Sequence, residues 1–113
     1  MSSHTYLFDL DSMECFDLGN YASFALGRAG IDLGNTYQFD TVFDKALLES
    51  IYYEFTVSWA GDEQERLDWI DELTDKIMKW GTGRQVEIHS EYYETDKLTL
   101  ASFHEVGTIY RDN

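Results

Sequence analysis

The sequence predicts a single α+β domain: a mostly antiparallel sheet, made of an N-terminal hairpin and C-terminal strands, packed with two amphipathic helices. Three observations lead there. Strand formers open the chain and return near its end, helix-period apolar patterns fill its middle, and 113 residues is one domain's length. With 43% hydrophobic and 16% aromatic residues, the composition belongs to a chain that folds. At this size folding hides roughly two-thirds of the unfolded surface, enough for one core. Proline is absent and neither a linker nor an internal repeat divides the chain, so residues 1–113 form one acidic α+β unit.

Residues 5–10 read Thr-Tyr-Leu-Phe-Asp-Leu, and residues 14–18 read Glu-Cys-Phe-Asp-Leu before Gly19. Asp11-Ser12-Met13 between them has turn chemistry, because Asp and Ser side chains bond nearby backbone groups. A β-hairpin follows. Residues 20–35 allow two readings. One is a short helix capped by Asn20, carrying Tyr21, Phe24 and Ala25, and ended by Gly27 or Gly30. The other is a loop with helical fragments, since Gly27, Gly30 and Gly34 all interrupt it.

Thr41-x-x-Asp44 resembles a capping box ahead of a helix whose apolar face carries Val42, Ala46, Leu47, Ile51, Phe55 and Trp59. Gly61 or Asp62 caps a second helix. There Leu67, Ile70, Leu73, Ile77 and Trp80 recur every three or four residues until Gly81 stops it. The short link makes the two helices antiparallel. Residues 85–93 alternate, with Val86, Ile88, Ser90 and Tyr92 on one side, as a half-buried strand does. Thr95-Asp96-Lys97 is a turn, and residues 98–103 and 106–110 are each read as a short strand.

Charge bounds the function. Twenty-two acidic side chains against eight basic ones give a formal charge of −14. Such a surface repels nucleic acid and anionic membrane and attracts a basic protein partner. The basic residues are scattered, and only Lys76, Lys79 and Arg84 gather, where they offset the dipole of the second helix. Mutual repulsion predicts stability that rises with salt, and with mild acid until packing fails. Solubility alone is the competing explanation for the acidity. Cys15 is the only cysteine, so no intramolecular disulfide forms. The first residues lack a secretory signal pattern and no run approaches 18 apolar residues, which makes cytoplasm the expected location.

Chemistry-bearing motifs are sparse. Leu7-Phe8-Asp9-Leu10-Asp11-Ser12 resembles the first motif of the haloacid dehalogenase phosphatases, in which two carboxylates at a strand end hold magnesium and attack phosphate. The family's parallel doubly wound sheet does not fit a strand that returns at once as a hairpin, so Asp9 and Asp11 are expected to be solvent-facing hairpin residues. His4, His89, His104 and Cys15 stand at no metal-ligand spacing, and Ser90 and Cys15 lack a nucleophile elbow. His89 is expected to be a solvated or hydrogen-bonded strand residue. The reading is a non-enzyme with no catalytic residue, metal or cofactor.

The acidic positions are better ordered. Glu65, Asp68, Glu72 and Asp75 step by three, four and three, one stripe of the second helix, and Asp62 and Glu63 add charge at its start. The stripe is expected to face away from Leu67, Ile70 and Ile77. Near the other end Glu91, Tyr92, Tyr93, Glu94 and Asp96 mix acids, which orient a partner, with aromatics, which supply contact area. These two clusters are the candidate protein-binding residues.

The opening segment, Tyr6-Leu-Phe-Asp-Leu-Asp-Ser-Met-Glu-Cys-Phe-Asp-Leu-Gly19, resembles the start of small acidic immunity proteins of bacterial polymorphic-toxin and contact-dependent inhibition systems. Residues 86–94 (Val-Glu-Ile-His-Ser-Glu-Tyr-Tyr-Glu) and 105–110 (Glu-Val-Gly-Thr-Ile-Tyr) are similar in style. The resemblance implies a protein that binds one toxin domain, often a basic nuclease, and blocks it; it carries over no functional residue. A phage-encoded anti-restriction or anti-CRISPR protein, whose acids imitate DNA phosphates, is the alternative. A small metal-dependent phosphatase-like enzyme using Asp9 and Asp11 is the second.

Overall fold

Strand β1 (Thr5–Asp9) is buried along all five residues, and its alternation sends neighbouring side chains into two different cores. The computed structural model describes residues 3–56 and 62–108, the side chains of 54–56 excepted. Strand β2 (Glu14–Asp17) returns beside β1, pairing Leu7 with Phe16 and Phe8 with Cys15. The expected hairpin is there. Its turn is set by Asp9, whose Oδ1 accepts the amides of Asp11 (2.9 Å) and Ser12 (3.2 Å).

The chain continues through α1 (Ala22–Arg28), β3 (Thr36–Gln38), α2 (Phe39–Val42), α3 (Lys45–Thr56), α4 (Glu63–Gly81), β4 (Gln85–Ser90) and β5 (His104–Thr108). The five-stranded sheet has the order β3-β4-β1-β2-β5. Every pairing is antiparallel except β2 with β5. This is the α+β architecture with a mostly antiparallel sheet that the sequence predicts. Among the described residues no helix is long and apolar enough to cross a membrane.

One sheet face carries the main core. Leu7, Phe16, Val86 and Ile88 meet Leu26 of α1, Leu48, Ile51 and Tyr52 of α3, and Ile70, Leu73 and Ile77 of α4. Within residues 20–35 the short helix α1 forms, followed by a loop from Ala29 to Asn35. Leu26 and Gly27 carbonyls accept the amides of Ile31 (2.9 Å) and Gly30 (3.1 Å), and Gly30 takes φ 77°. This is a Schellman end, sealed by Leu26 and Ile31, which are both buried. Tyr21, not Asn20, holds the cap position of α1, with no side-chain capping bond.

Three expectations are corrected here. Thr41 does not cap the long helix: it closes the short α2 by donating to the Gln38 carbonyl, and Asp44 caps α3 by accepting the Leu47 amide at 2.8 Å. The expected apolar face holds at Ile51 and at the partly buried Leu47, with Val42 partly buried at the end of α2, but Leu48 and Tyr52 are fully buried members of α3 as well and Ala46 is exposed. Residues 98–103 form no strand. They fold as a single 3₁₀ turn (Leu100–Ser102) with a reciprocal Thr99–Ser102 cap, because the local side chains satisfy the amides that a ladder would have used. Asp62 caps α4 as expected, its carboxylate facing the Gln64 amide at 3.4 Å. Trp59, Gly61 and Tyr110 lie outside the described residues.

The second face is covered differently. Tyr6, Phe8 and Cys15 point there and meet Phe103, with Tyr93, Leu98 and Leu100 packed around them. The excursion between β4 and β5 thus does for this face what the helices do for the other. Residues 95–98 make the expected turn, the Thr95 amide donating to the Leu98 carbonyl at 2.8 Å.

Two glycines separate packing from propensity. A methyl at Gly81 would collide with the fully buried ring of Phe39, whereas one at Gly27 meets nothing within 4 Å. Both sit in helices, where alanine is intrinsically better by up to about 1 kcal/mol. Gly27→Ala should therefore stabilise the fold by about that much. Gly81→Ala should destabilise it by about 1–3 kcal/mol, since overpacking outweighs propensity. Urea unfolding midpoints of the two variants check this.

Candidate functional site

Helix α4 lies on the sheet through Ile70, Leu73 and Ile77, and that choice of face fixes where its acids go. Glu65, Asp68, Glu72 and Asp75 are all exposed, as are Asp62, Glu63 and Asp71. The first-turn acids Glu63 and Glu65 sit where the helix dipole favours negative charge. Asp68 also accepts the side-chain amide of Gln64 at 2.9 Å.

The stripe does not simply oppose the apolar face. Leu67, expected in the core, is 43% exposed beside Asp68. Contacts with α3 explain why. Lys45 near the start of α3 reaches Asp71 at 2.8 Å, and Tyr53 near its end carries Arg66 at 4.4 Å from its ring centre. The helices therefore run antiparallel. Between them a groove of about 600 Å³ stays open, with Ile70 at its floor, Tyr53 and Leu67 on its walls, and Glu49, Asp68 and Asp71 at its rim. Tyr53 is 53% exposed. The hydrogen bond to Asp71, then its charge and those of Asp75 and Glu49, raise the Lys45 pKa above the usual lysine range.

The second cluster is elsewhere. Tyr93 packs into the second core, 5.0 Å from the Phe8 ring and 4.2 Å from the His89 ring. Tyr92 is 71% exposed, and Glu94 and Asp96 are exposed with it. Glu91 serves the fold, its carboxylate accepting the His4 amide at 2.8 Å. Tyr93 and Ile70 pack on opposite faces of the sheet, so these acids and the α4 acids belong to different layers of the fold. His89 is hydrogen-bonded to Glu87 at 3.0 Å, as a strand histidine of this kind should be.

Of the two hairpin carboxylates expected to face solvent, Asp11 does and Asp9 is engaged instead. Asp9 is buried, its Oδ2 lies 2.7 Å from Arg84 Nη1, and the same nitrogen meets Glu14 at 2.9 Å and Ser12 Oγ at 3.0 Å. Arg84 also donates from Nε to the Trp80 carbonyl at 2.6 Å and lies over the Trp80 ring. It does meet the end of α4, as expected of a cation there, but its guanidinium also ties that end to the hairpin turn. The expectation for Asp9 fails for this reason: alternation along β1 points it inward, where the partly buried Arg84 meets it. Asp11 is exposed. Strand β1 lies between two antiparallel neighbours, so the parallel setting of the phosphatase motif is missing.

Cys15 is buried, and that burial together with the charges of Glu105 and Asp17 pushes its thiol up to about 11, which leaves little thiolate near neutrality. Asp17 is held by His4 Nδ1 at 3.0 Å and by the Gly19 amide at 2.7 Å. Among the described residues no group of three or more His, Cys, Asp or Glu side chains is arranged to hold a metal ion.

Compared with family models, curated proteins and solved structures, the chain matches none. Sequence reasoning missed Tyr53, Glu49 and Asp71. The available signal was the i, i+4 pair Glu49–Tyr53 on one helix against Leu67–Asp71 on the next, but pairing the two faces requires the crossing of α3 and α4.

Burial by itself would raise the Asp9 carboxyl, but hydrogen bonds from Arg84, Ser12 and the turn amides outweigh it and hold the group below the usual aspartate value. A depressed folded-state pKa stabilises the fold above the unfolded value of about 3.9 and loses that contribution as pH falls through the folded one. Asp9→Asn should cost about 2 kcal/mol at pH 7, in the range of charged hydrogen bonds, and the gap from wild type should close in strong acid. Asp11→Asn should change little. Urea titrations at the two pH values measure both.

Proposed function

We propose that this chain is an acidic protein-binding module that neutralises a basic partner, an inhibitor in the manner of an immunity protein directed at a basic toxin domain such as a nuclease. One observation carries the reading: exposed carboxylates along α4 stand directly beside an open, partly apolar groove. Carboxylates steer and orient an oppositely charged partner, and apolar contact supplies affinity once it has docked. The formal charge of −14 supports a basic partner and disfavours nucleic acid and anionic membrane. Asp9, committed to Arg84 and to the turn amides, supports a structural role for the motif that resembles a phosphatase nucleophile.

A phage-encoded inhibitor that imitates DNA phosphates is the second reading. The row Glu65, Asp68, Glu72 and Asp75, stepping about 5 Å along the helix axis, favours it. The two differ in what the groove does, since a phosphate mimic needs no apolar anchor.

Association with a basic nuclease domain should slow steeply between low and high salt, and a flat response would remove the steering argument. Reversing Glu65, Asp68, Glu72 and Asp75 to Lys should weaken binding by more than about 1 kcal/mol with the fold intact. Reversing Glu94 and Asp96, on the opposite face, should leave affinity within about 0.5 kcal/mol. If the α4 variant binds as the wild type does, its acids only solubilise the domain. The next surface to test is then α1, where Phe24 is 64% exposed.

A further inference from the structure

We propose that the α3–α4 groove is the anchor pocket of this binding face, and that it takes a basic segment of the partner protein presenting an apolar or aromatic side chain flanked by Lys or Arg. The proposal rests on the reading of α4 as the binding face and names what that face grips.

The lining matches such a segment and fits others poorly. Tyr53, Leu67 and Ile70 are apolar parts of the wall of an open groove of about 600 Å³, larger than a void between well-packed helices and within the size range of ligand-binding clefts. Its rim is acidic on both sides, Glu49 from α3 and Asp68 and Asp71 from α4. The chain's own cations already display both modes of capture. Arg66 lies over the Tyr53 ring at 4.4 Å, and Lys45 meets Asp71 at 2.8 Å. A partner guanidinium or ammonium meets the same kind of acceptor in Glu49 and Asp68, the lining carboxylates that Lys45 does not hold. A second copy of this chain is disfavoured as occupant, since it brings −14 to a rim that is itself acidic. An acidic peptide meets the same repulsion.

The test uses the full chain and three synthetic helical peptides of one length: Leu/Lys amphipathic, Ser/Lys with the same cations, and Leu/Glu with the same apolar face. Titration calorimetry gives affinities, and amide shifts in NMR spectra locate the site. The Leu/Lys peptide should bind at least tenfold more tightly than either of the others, shifting Ser50, Tyr53 and Leu67. Leu67→Ser and Tyr53→Ser, both at exposed positions and checked for folding by circular dichroism, should reduce it to the Ser/Lys level. Glu72→Lys with Asp75→Lys, outside the slot, should weaken both cationic peptides alike.

Leu/Lys and Ser/Lys peptides that bind equally, or binding unaffected by Leu67→Ser, overturn the anchor while leaving an acidic binding face in place. Equal binding of Leu/Lys and Leu/Glu peptides overturns the charge argument of both readings. No binding, or self-association of the chain that Leu67→Ser abolishes, overturns the basic-segment proposal outright.

Discussion

The need to cover both faces of β1 organises the molecule. A central strand with Leu7 pointing one way and Phe8 the other cannot leave either face in water, because each buried side chain of this size contributes about 1.5–3 kcal/mol that exposure would forfeit. Leu7 is met by the helical layer. Phe8 is met by Phe103 at 4.7 Å between ring centres and by Tyr93, both brought in by the excursion between β4 and β5. That excursion then delivers β5 to the far edge, parallel to β2, where Gly107 lets the Phe16 ring lie against the backbone. The one parallel pairing in the sheet follows from where the second cover has to end.

Arg84 closes the same arrangement from the side. It stands just after α4 and just before β4, and its contacts reach the hairpin turn between β1 and β2. A buried carboxylate such as Asp9 is costly unless a cation and hydrogen bonds meet it, and here Arg84 and two turn amides do so. Many other acids in this chain are similarly occupied. Asp40 accepts the Gly83 amide, Asp44 the Leu47 amide, Asp17 the Gly19 amide and Glu91 the His4 amide. Part of the charge excess is therefore backbone chemistry, acceptors placed where turns and helix starts leave amides over. Glu105 works the other way. Although Glu105 is exposed, partial desolvation and the nearby Asp17 raise its carboxyl while His4 lowers it, so its charged form is penalised above the raised value and the penalty disappears below the unfolded one. Mild acid relieves Glu105 before it touches Asp9.

The elements were legible in the sequence wherever a strong period or a turn residue coincided with burial. Strand β1, the hairpin, α4 with its Asp62 cap and the Val86–Ile88 alternation all meet that condition. Thr41 and residues 98–103 misled because short-range hydrogen bonding overrode the pattern. A threonine can close a turn behind it as readily as cap a helix ahead, and Thr99 with Ser102 satisfies amides that strand propensity assigned to a ladder. The acidic stripe was legible because helical spacing is local. Its separation from Glu94 and Asp96 was not, since that depends on which sheet face each segment covers.

Local physics also accounts for much of the stripe. Glu63 and Glu65 complement the helix dipole, Glu72 and Asp75 stand four residues before Lys76 and Lys79, and Asp71 faces Lys45. None of this requires a partner. What it leaves over is the exposed Leu67, beside acids and across the groove from a Tyr53 ring that already carries Arg66. Single exposed apolar residues are ordinary on a protein surface. Here Tyr53 carries Arg66 on its ring, and Leu67 lines the same groove with carboxylates beside it, an exposed position that capping and core packing do not call for. The functional inference therefore stands on the exposed Leu67 and the groove it lines, with the acids setting which partner can reach it.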